Sequence, residues 1–350
     1  MAKIAILGAG VMGSSMSVPA SAAGHDIALI GTPLDEVIIK SIQSSLSHPS
    51  LSVKLPSEIK AYQFTELSNV LAQKKDLLIL GVSSGGVDWA TSQLIEHLDG
   101  TIPILMITKG LVDNGQEIET LPTSLQRNIK KSRGLELDVM AIGGPCIAGE
   151  LAAKRSTMVT FTGKDIQAIE NIAKMLECEF YHVRISSDLI GVELCAAFKN
   201  FYALGVGWAH GFFEASGDLS DGPKMHNLAS SIFNQATHEM NILVKNLGGL
   251  SESVYGLPGV GDLYVTCLAG RNSRMGRLLG LGNTYSYAKN HIMENDTVEG
   301  AELAKALAPA LRRYWDSGKL PKASMPLART IVNSICDDLP LKMNWSEFSR

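Results

Sequence analysis

The chain has 350 residues, 45% of them hydrophobic and 19% charged, with 33 glycines and 13 prolines. This composition excludes a disordered, collagenous or low-complexity protein, and the length is one at which a single core divides in two. A formal charge of −4, from 31 basic and 35 acidic residues, gives no general cationic field for nucleic acid or an anionic membrane.

Residues 4–7 are a short apolar run closed by Gly8, which predicts a buried parallel strand. A helix is predicted over 11–23, stopped by Gly24, and a second strand over 25–30, ended by Gly31-Thr32-Pro33. Further strands are predicted at 76–82, 102–108, 139–142 and 157–161, with helices at 90–98 and 164–176 between some of them. Strands separated by helices force right-handed crossovers, hence a parallel, doubly wound α/β sheet. From residue 188 the pattern is helical, with stretches at 189–210, 227–247, 298–315 and 326–336 and a glycine-rich turn at 256–262. The expected organisation is a dinucleotide-type α/β domain over 1–186 and an all-helical domain over 187–350.

Five cysteines stand far apart with no C-x-x-C pair, so neither a zinc site nor a disulfide framework is indicated. The histidines lack a ligand spacing, and no metal is assigned. Cys178, Cys195, Cys267 and Cys336 read as small buried hydrophobes. No run of about 18 uninterrupted apolar residues exists, so no membrane insertion is expected. Met1 leads straight into the first strand without a leader pattern, and a cytoplasmic location is expected.

Four motifs carry chemistry. Gly8-Ala9-Gly10-Val11-Met12-Gly13 follows a strand and opens a helix, the context in which a G-x-G-x-x-G string points to a dinucleotide. Gly8 allows the turn, Gly10 lets the backbone approach a pyrophosphate at the helix N-terminus, and Gly13 lets helix and strand pack closely. Beyond the second strand stand Asp35 and Glu36, with no arginine near, a pattern leaning to NAD over NADP; flavin is a lesser alternative. Thr108-Lys109-Gly110 places a lysine at a strand's carboxyl end, where α/β sheets bind ligands. Lys199-Asn200 interrupts a helix apolar on all sides. A lysine there must be paired, deprotonated or snorkelling, and Glu193 and Asp262 are the candidate partners. Finally, Gly259-Val260-Gly261-Asp262, Thr266 and Arg271-Asn272 form a plausible anion seat at a helix start.

In order, these strings, together with Gly144-Pro145-Cys146, Gly191-Val192-Glu193-Leu194 and Val298-Glu299-Gly300, resemble the NAD(P)-dependent glycerol-3-phosphate dehydrogenases of bacteria and archaea, over residues 4 to about 335. The resemblance implies a Rossmann-type domain, a helical C-terminal domain, a homodimer, and interconversion of sn-glycerol 3-phosphate and dihydroxyacetone phosphate with NAD or NADP. It implies Lys199 as general acid/base, with Lys109 and Asp262 beside it in the catalytic group. Asn200, Thr266, Arg271 and Asn272 are implied to bind substrate. Gly8, Gly10, Val11, Met12, Gly13, Thr32, Ser83, Lys109, Arg271 and Glu299 are implied to bind coenzyme.

The chain departs from the family pattern at several points. Cys146 stands where a serine is common, and Val82-Ser83-Ser84 lacks a proline. Leu228-Ala229 and Asn234-Gln235 stand where a lysine and an arginine are common. The two lost charges motivate an alternative, a sister dehydrogenase for another small phosphorylated or acidic 2-hydroxy or keto substrate. A catalytically silent nicotinamide sensor is the alternative from another class, and retention of both Lys109 and Lys199 argues against it.

Overall fold

The computed structural model describes residues 1–217, 225–268 and 270–348. Among the described residues there are ten strands: β1 (Lys3–Leu7), β2 (Asp26–Ile30), β3 (Lys60–Tyr62), β4 (Leu77–Leu80), β5 (Ile104–Met106), β6 (Leu111–Asp113), β7 (Ile118–Thr120), β8 (Val139–Gly143), β9 (Thr157–Thr162) and β10 (Tyr181–Ser186). Eight form one sheet in the order β10-β9-β8-β5-β4-β1-β2-β3. β1, β4, β5 and β8 are nearly wholly buried apolar runs, as strands covered on both faces by helices must be.

The sheet corrects the wholly parallel expectation. β9 pairs antiparallel with β8, and β10 then runs parallel to β9. The connection between β8 and β9 carries only the short helix Ala148–Ala152, whereas β9 and β10 are joined through the longer helix Ile166–Leu176. The chain leaves β1 towards β2 and β3 on one side and resumes at β4 on the other. The end of β1 is therefore the switch point of the sheet.

The chain divides into two units. The first comprises residues 1–109 and 120–189, and the second 110–119 and 190–350. The division falls at 189/190 rather than the expected 186/187. It also assigns to the second unit a hairpin, β6–β7, that lies within the first unit's stretch of sequence. Arg313 explains part of that assignment: its guanidinium donates to both carboxylate oxygens of Asp113, at 3.0 and 2.7 Å. The Tyr314 hydroxyl accepts from Ile118 N–H at 2.9 Å.

The second unit is built on the helix Leu189–Ala215. This helix is long and apolar enough to cross a membrane, yet 94% of its most apolar window is buried inside the protein, as a core helix would be. Its neighbour, the helix Arg271–Gly280, approaches at backbone level. A Cβ on Gly276 would lie 2.1 Å from Leu204 O, and one on Gly211 would lie 1.9 Å from Arg277 O. Gly276→Val should therefore push the helices apart and cost about 3 kcal/mol of stability. A urea midpoint unchanged from wild type would show that the close approach is not needed.

Candidate active site

In the first unit the glycine turn takes the shape its sequence requires. Gly8 has φ +109, and a Cβ on it would stand 2.7 Å from the backbone of Gly81 after β4. A Cβ on Gly13 would stand 2.0 Å from Gly8 O. Gly10 is different: its φ of −62 suits any residue, and beyond its two chain neighbours nothing lies within 4 Å of where its Cβ would be. The space a side chain would fill there is open, beside the start of the helix Val11–Ala22, whose first turn carries no acid and no side-chain cap. That fits a dinucleotide pyrophosphate at the helix N-terminus. Val11 is exposed and Met12 half-buried at that start, while Gly13 is buried.

The acid expected for the coenzyme's ribose is not available as the sequence suggested. The buried Asp35 turns inward, and its Oδ2 accepts from Ala9 N–H at 3.1 Å and Thr32 N–H at 2.8 Å. Glu36 pairs with Lys40 on the surface, and the Lys40 ammonium holds its carboxyl below the usual range. The signal favouring NAD over NADP thereby disappears. Thr32 Oγ1 accepts from Leu34 N–H at 3.3 Å, and Ser83 is exposed at the start of the turn Ser84–Gly86. Thr108 Oγ1 donates to Val82 O at 2.7 Å, tying the chain just after β5 to the turn after β4. Lys109 follows it, half-buried, as the last residue of this unit before the chain passes to the other.

The remaining expected residues gather in the second unit. Lys199, 8% exposed, sits within the buried helix Leu189–Ala215, and its ammonium donates to Asp262 Oδ1. Asp262, 1% exposed, is the first residue of the helix Asp262–Leu268, delivered by the π-helical turn Leu257–Gly261. Asp262 is thus one of the two partners the sequence offered. Thr266 Oγ1 donates to Asp262 O at 2.7 Å, one helical turn back, so its hydroxyl oxygen is left to accept.

A second strand of polar contacts runs beside this pair. Asn200 Nδ2 donates to Glu299 Oε2 at 3.1 Å, and Asn200 Oδ1 accepts from Asn272 Nδ2 at 3.0 Å. Asn272 Oδ1 in turn accepts from Gly300 N–H at 2.9 Å. A Cβ on Gly300 would fall 2.2 Å from Asn200 O, so only glycine admits this approach. Arg271 Nη2 stands 3.4 Å from Glu299 Oε1, and both side chains are about half exposed. An ion pair that exposed is worth at most about 1 kcal/mol, so an anion of higher charge can displace the carboxylate. Asn272, implied to bind substrate, gives its side-chain amide to Asn200 and Gly300.

The Cys267 thiol is pushed up to about 12 by burial, an effect the Lys199 ammonium partly offsets. It stays protonated and is no nucleophile. Of the five cysteines Cys195 is buried and the other four are half-buried, fewer buried than the sequence suggested. Asn234 and Gln235, at the positions of the missing arginine, line a hollow of about 760 Å³ with Leu228, Ser231, Trp345 and Phe348. Gln235 Nε2 also donates to the buried Glu239 at 2.8 Å, so this position serves helix packing.

Sequence reasoning misses two residues, Glu239 and His48, and misreads a third, Asp35. Glu239 accepts from Leu327 and Ala328 N–H, both at 2.7 Å, capping the helix Pro326–Cys336. Its polar placement in an otherwise amphipathic stretch was the signal available. Asp35 was noticed but given the wrong direction. His48 lies in Ser47-His48-Pro49, which carries no recognisable pattern.

Comparison with known proteins agrees across nearly the whole chain. The family model for the N-terminus of NAD-dependent glycerol-3-phosphate dehydrogenase matches residues 3–169, and that for its C-terminus matches 188–344. The chain is 33% identical over 317 residues to the NADP(+)-dependent glycerol-3-phosphate dehydrogenase of Archaeoglobus fulgidus, covering 91% of this chain and 90% of that protein. It is 27% identical over 345 residues to a Streptococcus agalactiae glycerol-3-phosphate dehydrogenase, covering 97% and 94%. The fold matches the crystal structure of glycerol-3-phosphate dehydrogenase from Coxiella burnetii, with a TM-score of 0.79, 24% identity, and coverage of 99% and 98%.

Proposed function

The chain belongs to the NAD-dependent glycerol-3-phosphate dehydrogenase family and is an NAD(P)-dependent oxidoreductase acting on a CH–OH group; from that premise we propose that it interconverts sn-glycerol 3-phosphate and dihydroxyacetone phosphate, with Lys199 as the acid and base at the C2 oxygen. The buried Lys199–Asp262 pair carries this reading. A charged pair so thoroughly removed from water contributes little net stability, so its retention points to chemistry.

The bound nicotinamide coenzyme supplies the hydride exchange at C2. Lys199 answers the charge that develops on the neighbouring oxygen: its N–H hydrogen-bonds the ketone and then gives up a proton as the alcohol forms. In the reverse direction the neutral amine takes the hydroxyl proton, and Asp262 stabilises the ammonium produced. The family resemblance assigns a catalytic part to Lys109 as well. Thr266 Oγ1 accepts a substrate hydroxyl. Arg271, released from Glu299, holds the phosphate with the backbone N–H groups that open its helix. For the coenzyme, the turn from Gly8 to Gly13 would hold the pyrophosphate, with Thr32 and Ser83 following it in the same unit.

The alternative substrate reading loses its motive at one of its two positions, since Gln235 supports Glu239. A homodimer is proposed from the family resemblance, with mass by light scattering as its test. The reaction is tested by supplying dihydroxyacetone phosphate with NADH and with NADPH and following the reduced nicotinamide; oxidation with neither rejects it. Arg271→Ala should raise KM for dihydroxyacetone phosphate by about tenfold or more. KM for dihydroxyacetone should move far less, and equal effects on the two ketones would remove Arg271 from the phosphate seat.

A further inference from the structure

The peptide planes on either side of Ala9 are held by side chains that the reaction itself does not use. On the N–H side, Ala9 N donates to Asp35 Oδ2 at 3.1 Å, and the same oxygen takes Thr32 N–H at 2.8 Å, joining the glycine turn to the end of β2. On the carbonyl side, Ala9 O receives Ser14 Oγ at 3.0 Å and His48 Nε2 at 3.2 Å. His48 is 2% exposed, and its Nδ1 accepts from Ser50 N–H at 3.0 Å. A carbonyl can only accept and an amide N–H can only donate, so the ring is the neutral tautomer with hydrogen on Nε2. Burial lowers the imidazole pKa and favours that neutral form.

A trans peptide is planar, with C=O and N–H pointing in opposite directions. Fixing Ala9 O towards Ser14 and His48 therefore aims Gly10 N–H the other way. Gly10 is the turn residue beside which the space is open. Nothing about Gly10 itself restrains this plane, since glycine is the residue most free to rotate.

We propose that His48 and Asp35, with Ser14, are positioning residues for the coenzyme: they lock the Ala9 peptides so that Gly10 N–H is presented to the pyrophosphate before it binds. The proposal rests on seating the coenzyme at this glycine turn. Pre-organised donors lower the ordering cost of binding, so their loss should appear in coenzyme affinity and hardly in the chemical step.

The test measures Kd for NADPH and NADH by nicotinamide fluorescence, alongside steady-state rates. His48→Phe keeps a ring of similar size without the donor. It should raise both Kd values about tenfold, the scale of one buried hydrogen bond, while kcat at saturating coenzyme changes less than about twofold. His48→Gln, which can carry an N–H to the same oxygen, should recover much of the affinity. Unchanged Kd in His48→Phe, or a fall confined to kcat, overturns the proposal. Where the phenylalanine variant does not fold, Ser14→Ala removes the other donor to Ala9 O and is read by the same criteria. Gly10→Val separates the two ideas, because its side chain enters space that is open in the protein. If Gly10→Val leaves coenzyme Kd unchanged, the seat itself is wrong. If it abolishes binding while His48→Phe and Ser14→Ala do not weaken it, the seat stands and the positioning role falls.

Discussion

Lys199→Ala should lower turnover by about 10²-fold or more, the usual scale of lost acid/base catalysis, and leave coenzyme affinity nearly unchanged. The substitution has a second consequence that must be separated from the first. Asp262 would lose the ammonium it faces at 1% exposure, and breaking a buried pair costs about 3–5 kcal/mol. A poorly folded enzyme would also be slow. Lys199→Met combined with Asp262→Asn resolves this, since it removes both charges and keeps most of the volume. The double variant should regain most of the stability lost by Lys199→Met alone, yet remain as inactive. Turnover that returned together with stability would reduce Lys199 to a structural pairing partner. A wild-type rate in Lys199→Ala would end its role altogether.

That such a residue could be found from sequence follows from contrast. Lys199 and Asn200 interrupt a helix in which the residues flanking them, 194–198 and 201–209, are small or apolar, and charge in that setting demands a partner. The strands β1, β4, β5 and β8 were legible for a related reason: strands buried on both faces are written as unbroken apolar runs. β3 has only three residues and β10 is an edge strand with mostly unburied positions, so neither leaves such a run. Strand direction is not a local property, and the reversal at β9 is a matter of its pairing with β8. The hairpin β6–β7 joins the second unit through Asp113 and Arg313, residues 200 positions apart. Asp35 shows the same limit within the coenzyme turn. Its presence after β2 was visible, but whether its carboxylate faces a ribose or two backbone amides depends on how the chain packs around Ala9.

Glu239 offers the second large effect, read through pH. It is wholly buried, and burial pushes its carboxyl up from the usual 4.5 to about 7, against hydrogen bonds from Gln235, Leu327, Ala328 and Tyr202 that favour the charged form. An acid whose pKa is higher in the folded state holds its proton there while the unfolded chain has already released it. Stability from this group therefore falls as pH rises from about 4.5 to about 7, and is level above. A shift of that size corresponds to about 3 kcal/mol. Glu239→Gln cannot ionise, so urea unfolding of wild type minus that of the variant should decline by about this amount between pH 5 and pH 8. The glutamine also turns one acceptor into a donor facing the N–H of Leu327 or Ala328, costing about 1–3 kcal/mol even at pH 5. The variant should thus be the less stable protein in acid and draw level with wild type, or overtake it, at alkaline pH. A difference that is constant across the range, or that widens as pH rises, would mean that Glu239 is charged in the folded protein throughout. The four hydrogen bonds would then outweigh burial, and the cap on Pro326–Cys336 would be that of a carboxylate anion at a helix N-terminus.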